Sequence, residues 1–278
     1  MSASQSREQA STAVREQPHQ EPEGLPWLVL PTYNEAENIE AIVLAAAAVL
    51  ERVTGDGGDG DYRILVVDDR SPDGTGEIAD RLAAAHEQVH VLHRAEKRGI
   101  GPAYLAGFRH ALDHGAGCVM EMDCDFSHDP ADLARLLGAV RAGADLALGS
   151  RYVSGGGVVD WSPLRRLVSR GGSTYARWVL GLRVRDLTGG FKCFRREVLE
   201  GIHFDSVRSQ GYAFQVELTY RAARAGFRVV EVPILFKDRE RGQSKMSWRI
   251  AAEAVWLVPR LRFGRQPPLA QVEVGAVR

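Results

Sequence analysis

Five short apolar runs separated by amphipathic stretches constrain this chain's fold more than any other feature. The runs are WLVL (27–30), RILVV (63–67), VHVL (89–92), CVMEM (118–122) and DLALG (145–149). Each is bounded by turn residues, as buried strands are. Between them the apolar spacing predicts helices over 35–53, 75–86, 102–113 and 130–142. Asn34, with Glu37 three residues on, reads as the N-cap of the first helix. Asp73 or Thr75 reads as the cap of the second. Such alternation implies right-handed βαβ units, hence an α/β fold with a mostly parallel sheet flanked by helices.

In such sheets ligands bind beyond the carboxyl ends of the strands. The polar clusters fall there: PTYNE after the first run, DDRSPDG after the second and DCDFSHD after the fourth. The glycine-rich stretch TGDGGDGD (54–61) precedes a strand and reads as a flexible surface turn at the opposite rim. Beyond Ser150 the alternation breaks down. Residues 161–181, 211–226 and 246–263 look helical, the last bent or ended near Pro259. TGGFKCF (188–194) and FRVVEVPILF (227–236) look like strands.

Composition narrows the class. The 278 residues are 45% hydrophobic and 26% charged, a globular rather than a disordered balance. The longest uncharged apolar stretch is 41–50, well short of the roughly 20 residues that a membrane span needs. Residues 1–24 are polar, read as a disordered tail without signal-peptide character. Cys118, Cys124 and Cys193 show no metal or CxxC spacing, which fits a reducing cytoplasm. The net charge of −1 conceals an asymmetry. Residues 1–150 carry 12 basic against 25 acidic side chains (net −13), and 151–278 carry 23 against 11 (net +12). Two solvated faces explain this; so does a protein holding metal at one end and anions at the other.

Asp123-Cys124-Asp125 carries the clearest chemistry. Carboxylates at i and i+2 after a buried strand suit a hard divalent cation, Mg²⁺ or Mn²⁺, with positions left for substrate phosphates. Ser127, beside them, is a third candidate metal contact. A lone Asp-x-Asp is common by chance, and its position is what favours the metal. Asp68-Asp69, ending the second run, suits hydrogen bonds from a base or ribose. GxxxxGK[ST] is absent and no GxGxxG follows any of the strand-like runs, which argues against a P-loop enzyme and a Rossmann dehydrogenase. Arg151, Arg239 and Lys245 are cations near loops, and an Arg fork matches phosphate oxygens. KDRERGQSK (237–245) reads equally as a solvated charge run.

Taken together, LPTYNEAENI, VVDDRSPDGT, EKRGIGPAY, MDCDFSHDP, GSRY, DLTGGFKCFRREVL, SQGYAFQVEL and EVPILFKDRERGQSKM resemble, in content and order, the dolichol-phosphate (polyprenol-monophosphate) mannose synthases. These are family-2 glycosyltransferases with the GT-A fold, and the resemblance covers about residues 27–250. It implies one GT-A domain over 25–265, with a nucleotide and metal half (25–150), a basic acceptor half (151–265) and a tail at 266–278. It implies that Pro31, Tyr33, Glu35, Val67 and Asp69 hold the guanosine of GDP-mannose. Asp123, Cys124 and Asp125 would form the metal and nucleotide site, and Arg151, Arg239 and Lys245 would grip phosphates, with Asp125, Arg239 and Lys245 closest to the chemistry. The family commonly has Ala where Cys124 stands. The implied reaction moves mannose from GDP-mannose to a polyprenyl phosphate, with inversion.

A lipid acceptor implies a membrane surface. The segments 161–180 and 246–263 mix Arg with Trp and aliphatic residues, as headgroup-layer helices do, although core packing explains one such helix as well. Peripheral attachment on the cytoplasmic face and an integral membrane protein partner follow as expectations, with no nucleic acid. Competing readings are a UDP-glucose-dependent glucosyltransferase on the same lipid phosphate, a non-catalytic nucleotide-binding subunit, and a nucleotidyltransferase. The last would want a basic glycine-rich loop where acidic PTYNE stands.

Overall fold

The computed structural model describes residues 22–55, 62–238, 256 and 258–264. The elements run β1 (Leu25–Thr32), α1 (Ile39–Thr54), β2 (Arg63–Asp68), α2 (Thr75–Ala85), β3 (Val89–His93), α3 (Ile100–Asp113), β4 (Ala116–Glu121), α4 (Leu133–Arg141) and β5 (Leu146–Ser150). There follow β6 (Gly157–Val158), α5 (Pro163–Leu180), β7 (Lys192–Arg195), α6 (Arg196–Gly201), α7 (Gly211–Arg224), β8 (Val229–Pro233) and β9 (Leu235–Phe236). Seven strands form one sheet in the order β3-β2-β1-β4-β7-β5-β8, and β6 pairs with β9 beside it. All pairings of the large sheet are parallel except those of β7, which lies antiparallel between β4 and β5. Strands after residue 150 thus complete the sheet begun before it.

Alternation along each strand divides the core. Leu28 and Leu30 of β1, with Ile64 and Val66 of β2, face α1, α2 and α4; Trp27, Val29, Leu65 and Val67 face α3, α6 and α7. Helix α1 buries Ile39, Ile42, Val43, Ala46, Val49 and Leu50, a 3.6-residue stripe. Burial of each large aliphatic side chain there contributes about 2 kcal/mol. Helix α3 sits close to the sheet because residue 107 is glycine: a Cβ there would come within 2.4 Å of a Val29 methyl. A third cluster joins Ala176 and Leu180 of α5 to Val216 and Tyr220 of α7 and to Val258 and Leu261.

Two local expectations are corrected and a third is narrowed. Helix α1 starts at Ile39, and Asn34 is not its cap: Asn34 has φ 57° and donates its N–H to Ser71 Oγ at 3.1 Å. The PTYNE turn is held by the neighbouring loop instead. Of the stretch 188–194 only residues 192–194 are strand, as part of β7; ahead of it Gly189 lies so close to β5 that a Cβ there would come within 3.1 Å of the Gly149 carbonyl. Residues 258–263 are helical, so of the two outcomes expected at Pro259, a bend or an end, the helix does not end there. The stretches 56–61 and 246–255, apart from their flanks, lie outside the described residues.

Candidate active site

Three strand ends meet because β1 pairs with both β2 and β4. The loop after β1 is tied to the loop after β2 by three hydrogen bonds. The N–H groups of Asn34, Glu35 and Ala36 donate to Ser71 Oγ, Thr75 Oγ1 and Asp73 Oδ2 at 3.1, 2.9 and 3.1 Å. Asp73 also accepts from the Thr75 N–H and hydroxyl, opening α2 through an Asx turn. Asp68 accepts from the Ser71 hydroxyl at 2.5 Å and from the Ser71 N–H at 3.1 Å. Each of the three loops places one non-glycine residue in left-handed backbone: Asn34, Arg70 and Phe126, at φ 56–58°. Strain of this kind concentrates at ligand sites.

Pro31 lies opposite Val67 in the register of β1 and β2, and the Asp69 N–H donates to the Thr32 carbonyl at 3.1 Å, so Pro31, Val67 and Asp69 share one corner, with Tyr33 and Glu35 in the loop that follows β1. Glu35 Oε2 accepts from Asn38 Nδ2 at 3.0 Å. Asp69 is held by Arg94 Nη1 at 2.5 Å and by the Arg98 N–H at 3.3 Å. Burial pushes its carboxyl above the usual range, against the pull of Arg94. Lys97 Nζ lies 3.7 Å from the centroid of the Tyr33 ring. The segment 94–98 therefore borders this corner. In the sequence this segment is marked only by the basic pair Lys97-Arg98 ahead of Gly99 and Gly101.

Asp123 and Asp125 follow β4. Tyr104 donates its hydroxyl to Asp123 Oδ1 at 3.1 Å, and the Asp123 N–H donates to His128 Nδ1 at 3.4 Å. Asp125 Oδ1 accepts the Ser127 N–H at 3.0 Å, which closes the turn. The Cys124 side chain is buried in the core with Met122 and Leu133. Ser127 is buried, and its carbonyl accepts the Lys237 N–H at 3.2 Å. The donor set, two carboxylates within three residues, has the hard oxygen chemistry that Mg²⁺ and Mn²⁺ take. Among the described residues no cluster of three or more His, Cys, Asp and Glu is placed to enclose a metal. A cation here would complete its shell from elsewhere, as substrate-bridging cations do.

Beneath this turn lies a buried polar layer that sequence reading missed. Lys192 Nζ donates to Glu121 Oε1 at 2.8 Å and to Gln215 Oε1, and the lysine and glutamate are fully buried. Gly190 packs against both Gln215 and Asp123; a Cβ there would lie 3.2 Å from Gln215 Nε2. His128 is buried between Phe191 and Phe236, with ring centroids 4.9 and 5.2 Å away. Burial pushes its pKa down to about 4, although Asp125 pulls the other way. The unfolded chain therefore binds the extra proton first, near the ordinary value of about 6.5. Stability falls as pH drops from about 6.5 to about 4 and draws nothing more from this group below that. Up to about 3 kcal/mol is at stake. Melting temperatures of wild type and His128→Gln between pH 7 and pH 4.5 check this: the variant should show the smaller decline. Equal declines would remove His128 as a cause.

Arg151 is already engaged within the fold. It is buried, and its fork is already occupied: Nε and Nη2 donate to the two Asp186 oxygens, each at 2.7 Å, and Nη2 donates to Thr188 Oγ1 at 2.8 Å. The Arg151 N–H also reaches Asp186 at 3.0 Å. The edge that would grip a phosphate grips a carboxylate. The rings of Tyr152, Trp161 and Phe236 surround the guanidinium at 5.2–5.5 Å. Arg239 and Lys245, the other expected phosphate contacts, lie outside the described residues.

The chain belongs to the family described as glycosyl transferase family 2, whose profile matches residues 27–202. Its α/β architecture with a mostly parallel sheet matches solved glycosyltransferases of the GT-A type. It is 52% identical over 233 residues to the polyprenol monophosphomannose synthase of Mycolicibacterium smegmatis, covering 83% of this chain and 84% of that one. It is 49% identical over 232 residues to the undecaprenyl-phosphate mannosyltransferase of Micrococcus luteus, covering 84% and 91%. Among solved structures, glucosyl-3-phosphoglycerate synthase from Mycobacterium tuberculosis, in complex with Mn²⁺, UDP and glucosyl-3-phosphoglycerate, aligns with TM-score 0.63. That match has 20% identity and covers 86% of this chain and 80% of that one. A mannosyltransferase from Pyrobaculum calidifontis, in complex with GDP-mannose and Mn²⁺, aligns with TM-score 0.57 at 19% identity, covering 91% and 70%.

Proposed function

We propose that the protein transfers mannose from GDP-mannose to a polyprenyl monophosphate, giving polyprenyl-phosphate-mannose and GDP, with inversion. The observation that carries this reading is identity near one half, over more than four-fifths of both chains, to two relatives named for mannosyl transfer to such lipids. The site's chemistry supports it. Asp123 and Asp125 supply the oxygens for Mg²⁺ or Mn²⁺, and such a cation offsets charge developing on a departing diphosphate. Pro31, Tyr33, Glu35, Val67 and Asp69 form the nucleoside corner, and Arg239 and Lys245 supply cations for the phosphates. The acceptor oxygen is anionic at neutral pH and needs little help from a general base. It attacks C1 of the mannosyl group as the bond from C1 to the diphosphate oxygen breaks. Catalysis then rests on alignment and charge.

The experiment offers radiolabelled GDP-mannose or UDP-glucose with polyprenyl phosphate and either cation, and counts the lipid fraction. Label from GDP-mannose and little from UDP-glucose is expected. Label from UDP-glucose alone overturns the donor assignment.

A lipid acceptor places this reaction at a membrane surface, and α5 supports peripheral binding there. Leu164, Leu167, Val168 and Trp178 are 70%, 70%, 60% and 83% exposed on a helix that carries four arginines and no acidic residue. Trp256 and Phe263 are also exposed. No helix among the described residues is long and apolar enough to cross a membrane. Basic helices with apolar anchors bind anionic interfaces. Sedimentation with phosphatidylglycerol vesicles should fall several-fold in Leu167→Glu/Trp178→Ala; undiminished sedimentation would assign this face another role.

A further inference from the structure

Tyr104 lies on α3, nineteen residues before Asp123, and nothing in the reading of the chemistry required it. Its side chain is fully buried, between Phe108 at 5.8 Å and a nearly parallel Phe214 at 6.1 Å, centroid to centroid. The only polar atom of that side chain is aimed at Asp123 Oδ1, 3.1 Å away. The ring has little freedom to turn. Gly107 seats α3 against β1 and β2, and Gly101, one turn before Tyr104, packs against the Phe214 ring and the Ser209 carbonyl. On the backbone side, His128 accepts the Asp123 N–H. Asp123 is thus held at its amide by a residue of its own turn and at its carboxylate by a different layer of the fold.

We infer that Tyr104 is a positioning residue for the metal site: its hydroxyl fixes the Asp123 carboxylate in the rotation that presents it to a divalent cation. The inference rests on the reading of Asp123 as a metal contact. A carboxylate that must meet a cation loses affinity if it has to be oriented at the moment of binding. A buried donor that orients it beforehand removes that cost, and partners of this kind behind metal ligands typically carry 10–100-fold in affinity. Because the hydroxyl donates to one oxygen, it sets the plane of the carboxylate without supplying a ligand itself. Tyr104 acts only through Asp123.

The test is Mn²⁺ titration followed by electron paramagnetic resonance, with GDP present, on wild type, Tyr104→Phe, Asp123→Asn and the double variant. Tyr104→Phe keeps the ring and removes one oxygen, and thermal melting of each variant reports whether the fold survives. Tyr104→Phe should bind Mn²⁺ about tenfold more weakly than wild type. Its transfer activity should recover at saturating Mn²⁺, so that the concentration of metal for half-activity rises while the maximal rate holds. The double variant should bind no more weakly than Asp123→Asn alone, since a residue acting through Asp123 adds nothing once that carboxylate is gone. Unchanged Mn²⁺ affinity in Tyr104→Phe, with loss in Asp123→Asn, overturns the inference and leaves the metal reading standing. Wild-type affinity in Asp123→Asn overturns both. Should Tyr104→Phe fail to fold, Phe214→Leu provides the second measurement. It loosens the ring and keeps the hydroxyl, so a several-fold weaker Mn²⁺ affinity supports the inference and unchanged affinity opposes it.

Discussion

Asp125→Ala should lose at least three orders of magnitude in mannosyl transfer, roughly 4 kcal/mol of transition-state stabilisation, and still fold. The carboxylate is buried at a strand end, where solvent would not replace it. One remaining carboxylate holds a cation poorly against its hydration shell. The structural cost is smaller. Asp125 Oδ1 accepts the backbone N–H of Ser127, and losing such a bond costs about 1–2 kcal/mol. Asp125→Asn separates the two effects, because an amide oxygen still closes the turn while the charge is gone. Both variants should be nearly inactive, with Asn melting closer to wild type. Wild-type turnover in Asp125→Ala, or full activity of the unmodified enzyme in excess chelator, would sink the metal assignment.

Asp186→Ala should destabilise the fold by about 3–5 kcal/mol, the range for breaking one partner of a buried ion pair. Asp186 is fully buried and accepts three hydrogen bonds from Arg151, two from the guanidinium and one from the amide. Burial raises its pKa, but the Arg151 charge and the hydrogen bonds outweigh that and hold the carboxyl below the usual range. Its contribution is therefore complete above the unfolded carboxylate pKa, near 3.9, and is lost as pH falls through the lower folded value. The alternative, in which Arg151 chiefly grips phosphate, predicts a raised KM and an unchanged melting temperature in Asp186→Ala. Urea unfolding with parallel kinetics distinguishes them. Arg151→Lys should be only partly tolerated, since an ammonium does not reproduce the fork on Asp186.

Much of this molecule is local in origin and was legible for that reason. Alternation in WLVL and RILVV sends successive side chains to opposite faces, and the two core clusters divide along that alternation. Right-handed crossovers between parallel strands then bring PTYNE, DDRSPDG and DCDFSHD to one rim, whatever their chemistry. The start of α1 was misread because Asn34 has the residue type of a cap but is held in a turn by Ser71, thirty-seven residues away.

Local pattern set the helix and strand periods, the rim on which the polar loops lie and the paired carboxylates on that rim. Which charge meets which was settled by packing. Arg151 finds Asp186 35 residues on, Lys192 finds Glu121 71 residues back, and Tyr104 finds Asp123 across 19 residues. A guanidinium bound to a buried carboxylate and one awaiting a phosphate are the same residue in a sequence. Likewise KCFR alternates identically in either direction, and its antiparallel place between β4 and β5 follows from the path of the chain after α5. Such pairings are settled by the cost of leaving a charge or a strand edge unmatched in a packed interior, and that cost exists only once the layers have come together.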